Sequence, residues 1–368
     1  KADADSRKVI RRARKTNPNA FVGVLGCYAQ MKPDEVAAIN GVDAVFGIQD
    51  KFNIPKLIDK YEKNEETCMY VKPLEDLRFD PACTYDADTR TRVTMKLQDG
   101  CDYKCTYCTI PAARGYSRSM DFDKAMDKFR EIDEQGYREI VLSGVNLGDY
   151  KAPTGENFTD LIRAVAEQDF NFRIRISSIE PNLLTDEIIE IAATSDTLAP
   201  HFHIPLQSGS PEILKKMRRR YKADFYRDLI FKIKDRIPYC GIGVDVITGF
   251  PGETDRHFQE TYDLLDHIPA TYLHVFSYSD RSGTTAAEMD GKVDPQVQKD
   301  RTHSLIELSN RKKIQFYESM LGTEQEVIPE VYNQRQGRWS GFTGNYIKTR
   351  FHAPDNIPTE FHKIRLDR

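Results

Sequence analysis

Residues 93–111 read VTMKLQDGCDYKCTYCTIP. The apolar alternation over 93–98 predicts a strand, and the Asp-Gly pair that follows turns the chain into a loop. That loop carries Cys101, Cys105 and Cys108 in a C-x3-C-x2-C spacing. Three thiolates so close together can grip one metal centre. A structural zinc would want a fourth Cys or His nearby, and none lies between 109 and 200. On a four-iron cluster, three thiolates leave one iron without a protein ligand. Such an iron can coordinate a substrate and pass it an electron. A zinc loop closed by a distant ligand is the other reading.

Working outward from the loop, residues 93–293 alternate strands with helices. Strand patterns cover 93–98, 139–145, 173–179, 202–206, 243–248 and 272–277. Helical patterns cover 121–135, 158–168, 185–195, 210–219, 223–236 and 255–267. Six strands alternating with helices predict an α/β fold with a parallel sheet or barrel. In such folds chemistry sits at the carboxyl ends of the strands. Those ends carry QDGC, SGVN, SSIEP, PLQSGS, ITGFPGE and SYSDRSGT, all rich in Gly, Ser or polar groups.

The flanks differ. Residues 1–64 read as α/β: a basic helix over 6–15, a strand over 21–25 ending in GCYAQ, a helix over 33–39, a strand over 44–46 and a helix over 54–63. Residues 65–92 are polar and punctuated by Pro73 and Pro81, as a linker would be. A long helix over 295–321 closes the segment 93–321. Residues 322–368 hold short alternating runs (326–329, 345–349, 362–366) between Gly, Asn and Pro, a small β-barrel pattern.

Composition narrows the classes. The 368 residues are 39% hydrophobic with a formal net charge of -4, enough for real cores and against wholesale disorder. No run approaches the ~20 apolar residues of a membrane span, and KADADSRK has no signal-peptide core. Seven cysteines spread over the chain argue against a disulfide framework, so a reducing cytoplasm is expected. The chain enters a helix with no element before it, like a domain whose beginning has been removed.

The cysteine spacing resembles the radical S-adenosylmethionine superfamily. The resemblance implies that the cluster binds the amine and carboxylate of S-adenosylmethionine, whose reductive cleavage gives a 5′-deoxyadenosyl radical. It places Tyr107 beside the adenine. Gly144 and Asn146 would then serve the methionine end, Glu180 the ribose hydroxyls, Gln207 and Ser208 further polar contacts, and Gly249 and Pro251 the adenine. Each of these could instead be turn chemistry. Arg219 is the candidate partner of the cofactor carboxylate, with a phosphate contact as its alternative.

DGCDYKCTYCTIPAARG, SGVNLGD, SSIEP, PLQSGS, GFPGET and YSDRSGT together are similar to the methylthiotransferases, over essentially the whole chain. The family implies an N-terminal α/β domain (incomplete here), a partial (β/α)6 radical-SAM barrel and a C-terminal β-barrel called TRAM. It implies two [4Fe-4S] clusters. The auxiliary one would take Cys27, in LGCYAQ, as a ligand, and its first two cysteines would lie before Lys1. Cys68 and Cys83 do not match the pattern and read as free thiols, and Cys240 as a small buried hydrophobe. The stretch through GVLGCYAQ, SGVNLGDY and the run LKKMRRRY at 214–221 most resembles the branch acting on threonylcarbamoyladenosine in tRNA. Other branches act on isopentenyladenosine in tRNA or on a ribosomal-protein aspartate, and a non-catalytic iron–sulfur RNA-binding protein is the alternative of another class.

Charge patterning is compatible with RNA. Residues 207–236 hold ten Lys or Arg against four Asp or Glu, and residues 1–18 seven against two. Arg218 and Arg220 are candidate phosphate contacts. Arg338, Trp339, Asn345 and Tyr346 form a candidate stacking platform for an anticodon loop, though a small β-barrel core would also use Trp339 and Tyr346. The expected partners are a tRNA anticodon stem-loop and an electron donor of flavodoxin type, with no membrane. The resemblance implies that a radical takes hydrogen from carbon 2 of the adenine, that the auxiliary cluster supplies sulfur, and that a second S-adenosylmethionine supplies the methyl group. An sp2 C–H bond offers no acidic proton, so acid–base chemistry would not serve.

Overall fold

The computed structural model describes residues 2–51, 53–58, 62–63, 66–74, 77–85 and 91–368. The chain divides into two compact units. One comprises Lys1–Arg78, Gly100–Lys104 and Cys108–Tyr116; the other comprises Phe79–Asp99, Cys105–Tyr107 and Ser117–Arg368.

The first unit is built on three parallel strands in the order β1 (Gly23–Leu25), β2 (Ala44–Phe46), β3 (Cys68–Tyr70). Its opening helix, Ala2–Thr16, has Asp3 and Asp5 in the first turn and Arg14 and Lys15 in the last, charges that oppose the helix dipole. Ile10 from this helix packs with Ala29, Val36, Val42 and Val45 in a small core. GCYAQ, read as a strand end, instead starts the helix Cys27–Met31, which packs against Ile110–Arg114, the helix following the cysteine loop. The helix expected over 54–63 runs Ile54–Leu57, and residues 59–61 lie outside the described residues.

The second unit carries β4 (Ala82–Tyr85), β5 (Arg92–Lys96), β6 (Gln98–Asp99), β7 (Arg118–Ser119), β8 (Glu139–Ser143), β9 (Arg173–Ile176), β10 (His201–His203), β11 (Gly241–Thr248) and β12 (Tyr272–Ser277). Strands β5, β8 and β9 pair in parallel, as do β10, β11 and β12. The two sets meet where Ile174 bridges Leu198 in parallel and Ile179 N donates to His203 O. Six parallel strands therefore stand in chain order. The supposed linker supplies two edge strands, β3 in the first unit and β4, which runs antiparallel to β5 in the second. Their lengths of three and four residues explain why no periodicity announced them.

Period-two alternation sorts the six strands into two faces. Val93, Met95, Ile140, Leu142, Ile174, Ile176, Phe202, Val244, Val246 and Leu273 enter the main core with the helices. Helix Phe158–Ala166 is typical: Asn157 and Asp160 form a capping box, and Phe158, Leu161, Ile162 and Val165 are buried. The cap contributes about 1 kcal/mol, and each large buried side chain about 1.5–3 kcal/mol, so packing decides. The other face is polar. At its amino end the fully buried Glu139 accepts from Arg92 Nε (2.7 Å), Arg173 Nε (2.6 Å) and Arg175 Nη2 (2.8 Å). Burial pushes the Glu139 carboxyl up, but the three guanidinium groups outweigh it and hold it well below the usual range.

The helix Pro295–Ser319 leads to four antiparallel strands, β13 (Glu324–Asn333), β14 (Arg338–Thr343), β15 (Lys348–Phe351) and β16 (His362–Arg365), in the order β15-β14-β13-β16. This sheet covers the arginine end. Arg173 Nη2 donates to Phe342 O (3.1 Å), Arg175 Nη1 to Gly344 O (2.9 Å), and Arg92 pairs with Glu330 (2.8 Å). Among the described residues no helix is long and apolar enough to cross a membrane.

Candidate active site

The cysteine loop is built on a forced glycine. Gly100 has φ +74°, and a Cβ there would lie 1.9 Å from the Tyr116 carbonyl oxygen, so only glycine fits. In the first unit Cys101 N donates to Gly115 O (3.1 Å), and Cys101 Sγ accepts from Tyr103 N (3.4 Å). In the second unit Thr106 is fastened on three sides: its N donates to Met217 O (3.2 Å), its Oγ1 to Lys216 O (2.9 Å), and its carbonyl accepts from Ala286 N (2.8 Å). That anchors Cys105 and Tyr107 on either side of it. Cys101 and Cys105 are buried, Cys108 is half-buried, and all three are free of disulfides. Soft sulfur donors suit an iron–sulfur cluster.

Arg219 organises the polar groups around Cys105 and Tyr107 within the second unit. Its Nη1 donates to Cys105 Sγ and to the Tyr107 hydroxyl, both at 3.4 Å; its Nη2 pairs with Glu180; its Nε donates to the Tyr221 hydroxyl at 3.1 Å. The Tyr221 hydroxyl in turn donates to the carbonyls of Pro205 (2.9 Å) and Leu206 (2.6 Å). The Arg219 side chain is 4% exposed. Burial opposes its charge, but Tyr221, Tyr107, Glu180 and Cys105 outweigh burial and hold the guanidinium firmly charged. Burial likewise pushes the Tyr107 phenol well up, and the ring meets Phe250 edge-on at 6.3 Å. Arg219 was expected on a helix over 210–219. That helix ends at Lys216 and Arg218 takes φ 56°. Thr106 accepts the task of capping, binding the carbonyls of Lys216 and Met217.

Asn146 is 4% exposed. Its backbone N donates to Gln98 Oε1 (2.8 Å), while its side-chain Nδ2 and Oδ1 are buried with no partner among the described residues. Leaving such groups unpaired costs about 1–3 kcal/mol each, so a polar ligand that bonds this amide would recover that cost. The residues at this rim therefore fit a polar cofactor. Its neighbours divide differently. A Cβ on Gly144 would meet Leu147 Cδ2 at 2.9 Å, so this glycine makes room for the Leu147 side chain. Gln207 takes φ 67° and its N donates to Asp245 O (2.8 Å). The Ser208 hydroxyl is buried against Thr261 Oγ1 (3.2 Å) and accepts from Ser210 N (3.2 Å). Gly249 has φ +74° and its N donates to Glu253 Oε1 (2.9 Å), with Pro251 buried nearby in sequence.

Of the residues expected to meet RNA, Arg218 and Arg220 are exposed. Elsewhere in the basic run, Arg227 pairs with Asp224, Lys232 with Asp186 and Arg236 with Glu190, which reduces the positive field. Arg338 Nε donates to His352 Nε2 (2.8 Å), and Trp339 Nε1 donates to Pro354 O (2.8 Å) with its ring beside Tyr332. Asn345 and Tyr346 are not on an open platform. Asn345 is 1% exposed and donates to Tyr239 O (3.0 Å). Tyr346 stacks on Phe342 and lies under the Arg175 guanidinium. Both serve the join between the C-terminal sheet and the arginine end of the parallel strands.

Cys27 is half-buried at the start of its helix, Cys68 is exposed, Cys83 half-buried and Cys240 buried. Sequence reading missed two polar clusters on the helix-free face, the Glu139–arginine network and His203–Asp245–His274. The signal was present as a polar residue at every second strand position, in RIRI, HFH and VDV. What that pattern does not reveal is which distant strands supply the partners.

Residues 95–265 match the model of the Radical SAM superfamily. The solved radical S-adenosylmethionine methyltransferase TsrM from Kitasatospora setae, with tryptophan substrate and a SAM analogue bound, aligns with a TM-score of 0.55 at 16% identity, over 74% of this chain and 58% of that one. That likeness concerns the fold: a mixed α/β radical-SAM architecture. Closer relatives narrow the family. The threonylcarbamoyladenosine tRNA methylthiotransferase MtaB of Bacillus subtilis (strain 168) is 39% identical over 374 residues, covering 99% of this chain and 82% of that protein. The protein of the same name from Aquifex aeolicus (strain VF5) is 36% identical over 94% of this chain and 83% of its own length. A tRNA-2-methylthio-N(6)-dimethylallyladenosine synthase of Fusobacterium nucleatum is 35% identical over 84% of this chain and 71% of its own. The chain belongs to the radical S-adenosylmethionine methylthiotransferase family.

Proposed function

We propose that this chain adds a methylthio group to carbon 2 of N6-threonylcarbamoyladenosine beside the tRNA anticodon. The observation that carries the substrate is its likeness, at 36–39% identity over 94–99% of its length, to two proteins named for that activity. Cys101, Cys105 and Cys108 would hold one [4Fe-4S] cluster and Cys27 would contribute to a second. With S-adenosylmethionine, such a centre supplies the radical chemistry that an unactivated aromatic C–H bond demands.

The protein's own groups have defined tasks around that centre. Arg219 sets a fixed cation against the Cys105 sulfur, and Glu180 balances it. Thr106 locks the loop between Cys105 and Tyr107. Asn146, with an uncommitted buried amide, would hold the amino-acid end of S-adenosylmethionine, and Tyr107 with Phe250 would give its adenine an aromatic wall. Gln207, Ser208, Gly249 and Pro251 shape the rim from behind. The six parallel strands in chain order support a partial (β/α)6 barrel over residues 93–321, residues 1–64 and 322–368 acting as the N-terminal methylthiotransferase domain and a TRAM-like RNA-binding domain. Arg218, Arg220, Arg338 and Trp339 are the RNA contacts in this reading, with a flavodoxin-type protein as electron donor and the cytoplasm as its place of work.

The test is anaerobic incubation of the reconstituted parent protein, with any residues that precede Lys1 in place, with S-adenosylmethionine, reductant and an anticodon stem-loop carrying threonylcarbamoyladenosine. The expected product is the 2-methylthio nucleoside by mass spectrometry. Reaction with the dimethylallyladenosine stem-loop alone would overturn the substrate assignment.

A further inference from the structure

On the helix-free face of β10–β12 stand three side chains that take no part in holding the cysteines. Asp245 and His274 are directly opposed in the parallel register of β11 and β12, and His203 lies on β10 beside Gly243. His203 Nε2 donates to Asp245 Oδ1 (2.8 Å), and His274 Nδ1 donates to the same oxygen (3.3 Å). His203 Nδ1 donates to the Ser177 carbonyl (3.2 Å). Both nitrogens of His203 thus face oxygens that only accept, so this ring is committed within the cluster. His274 is different: its side chain is 51% exposed, and its Nε2 has no partner among the described residues.

Asp245 and His274 each lie three residues before the carboxyl ends of β11 and β12, at Thr248 and Ser277. The Asp245 carbonyl accepts from Leu206 N (3.1 Å) and Gln207 N (2.8 Å), and the Leu206 carbonyl accepts from Tyr221, the partner of Arg219. The polar face between that level and the rim is the path by which the appendage of a base at the rim would meet His274. The other cations of this face are committed. Arg92, Arg173 and Arg175 bind Glu139 and the C-terminal sheet, and Lys96 pairs with Asp99.

We propose that His274, oriented by Asp245 and His203, is a specificity-determining residue that binds the carboxylate of the substrate's N6 appendage. This rests on the substrate reading given above. A threonylcarbamoyl group ends in a carboxylate, whereas a dimethylallyl group has no polar atom. His274 would stand between the Asp245 carboxylate and that of the ligand, with Nδ1 towards the first and Nε2 towards the second. The preference comes from the hydrogen bond that the threonylcarbamoyl carboxylate makes and that an appendage without polar atoms cannot make.

The experiment uses the reconstituted enzyme with three anticodon stem-loops that differ only in the nucleoside: threonylcarbamoyladenosine, dimethylallyladenosine and adenosine. Binding is read by fluorescence anisotropy, and kcat and KM by product mass spectrometry. His274→Phe should cut the preference for the threonylcarbamoyl over the unmodified stem-loop about 10- to 100-fold, the value of a charged hydrogen bond. His274→Gln, which keeps a donor near the Nε2 position, should restore part of it. The loss should fall on Kd and KM more than on kcat. A parent that ignores the threonylcarbamoyl stem-loop overturns the substrate reading and this inference with it. A parent that acts on it, with a His274→Phe variant of equal preference, overturns the inference alone. So does a stoichiometric divalent metal in the parent, separate from the cluster iron and lost in Asp245→Asn.

Discussion

Arg219 reaches Cys105 through a guanidinium N–H, Nη1 to Sγ at 3.4 Å, while its other terminal nitrogen holds Glu180. One cation thus joins the cysteine loop to the end of β9. Removing it strands a largely buried carboxylate, which costs about 3 kcal/mol. Arg219→Ala should lose that much in anaerobic urea unfolding. The double variant Arg219→Ala/Glu180→Gln should be more stable than Arg219→Ala alone. A double variant less stable than the single one would contradict the pairing.

Asn146 should show opposite effects on stability and binding. Asn146→Leu removes two unpaired buried polar atoms and keeps the branching of the side chain, so the ligand-free protein should gain about 1–2 kcal/mol. The same change should abolish the rise in Tm that S-adenosylmethionine gives the parent. A variant that is both less stable and equally protected by S-adenosylmethionine would remove Asn146 from the cofactor site.

Acid should release the polar face in a defined window. Burial pushes the Asp245 carboxyl up, but hydrogen bonds from His203 and His274 outweigh it and hold it at about 2. Its folded value is depressed below the unfolded value of about 3.9. The stabilisation, about 2 kcal/mol, is therefore present above pH ~4 and lost as pH falls towards 2. Glu139 behaves in the same sense, its stabilisation falling away only below about pH 4.3. Asp245→Asn should lower the urea midpoint at pH 7 and lower it markedly less at pH 2.5. An equal deficit at both pH values would contradict this.

The sequence carried the strands and most helices because their periodicity is local. β12 and the helices Ala223–Arg236 and Asp255–His267 lie within their expected bounds. It could not carry the end of the helix at Lys216. LKKMRRRY favours helix throughout, and the stop depends on Thr106, which lies 110 residues away and binds the Lys216 carbonyl. Asn345 misled for the same reason, since its burial depends on Tyr239, 106 residues away. The cysteine loop was legible from spacing alone, whereas His203, Asp245 and His274 converge only once three strands are in register.

Arg218 is exposed just after that helix. If it contacts a phosphate, Arg218→Ala should weaken tRNA binding uniformly across sequences and lower the slope of log K against log salt by about one. An unchanged slope would move the RNA surface elsewhere.

The central claim is tested most directly on tRNA from cells with and without the gene, digested to nucleosides and analysed by mass spectrometry, with Cys105→Ala as complement. Loss of 2-methylthio-N6-threonylcarbamoyladenosine, accumulation of N6-threonylcarbamoyladenosine, and rescue by the parent but not by Cys105→Ala are the predicted result. An unchanged level of the methylthio nucleoside in the deletion, or rescue by Cys105→Ala, would contradict it.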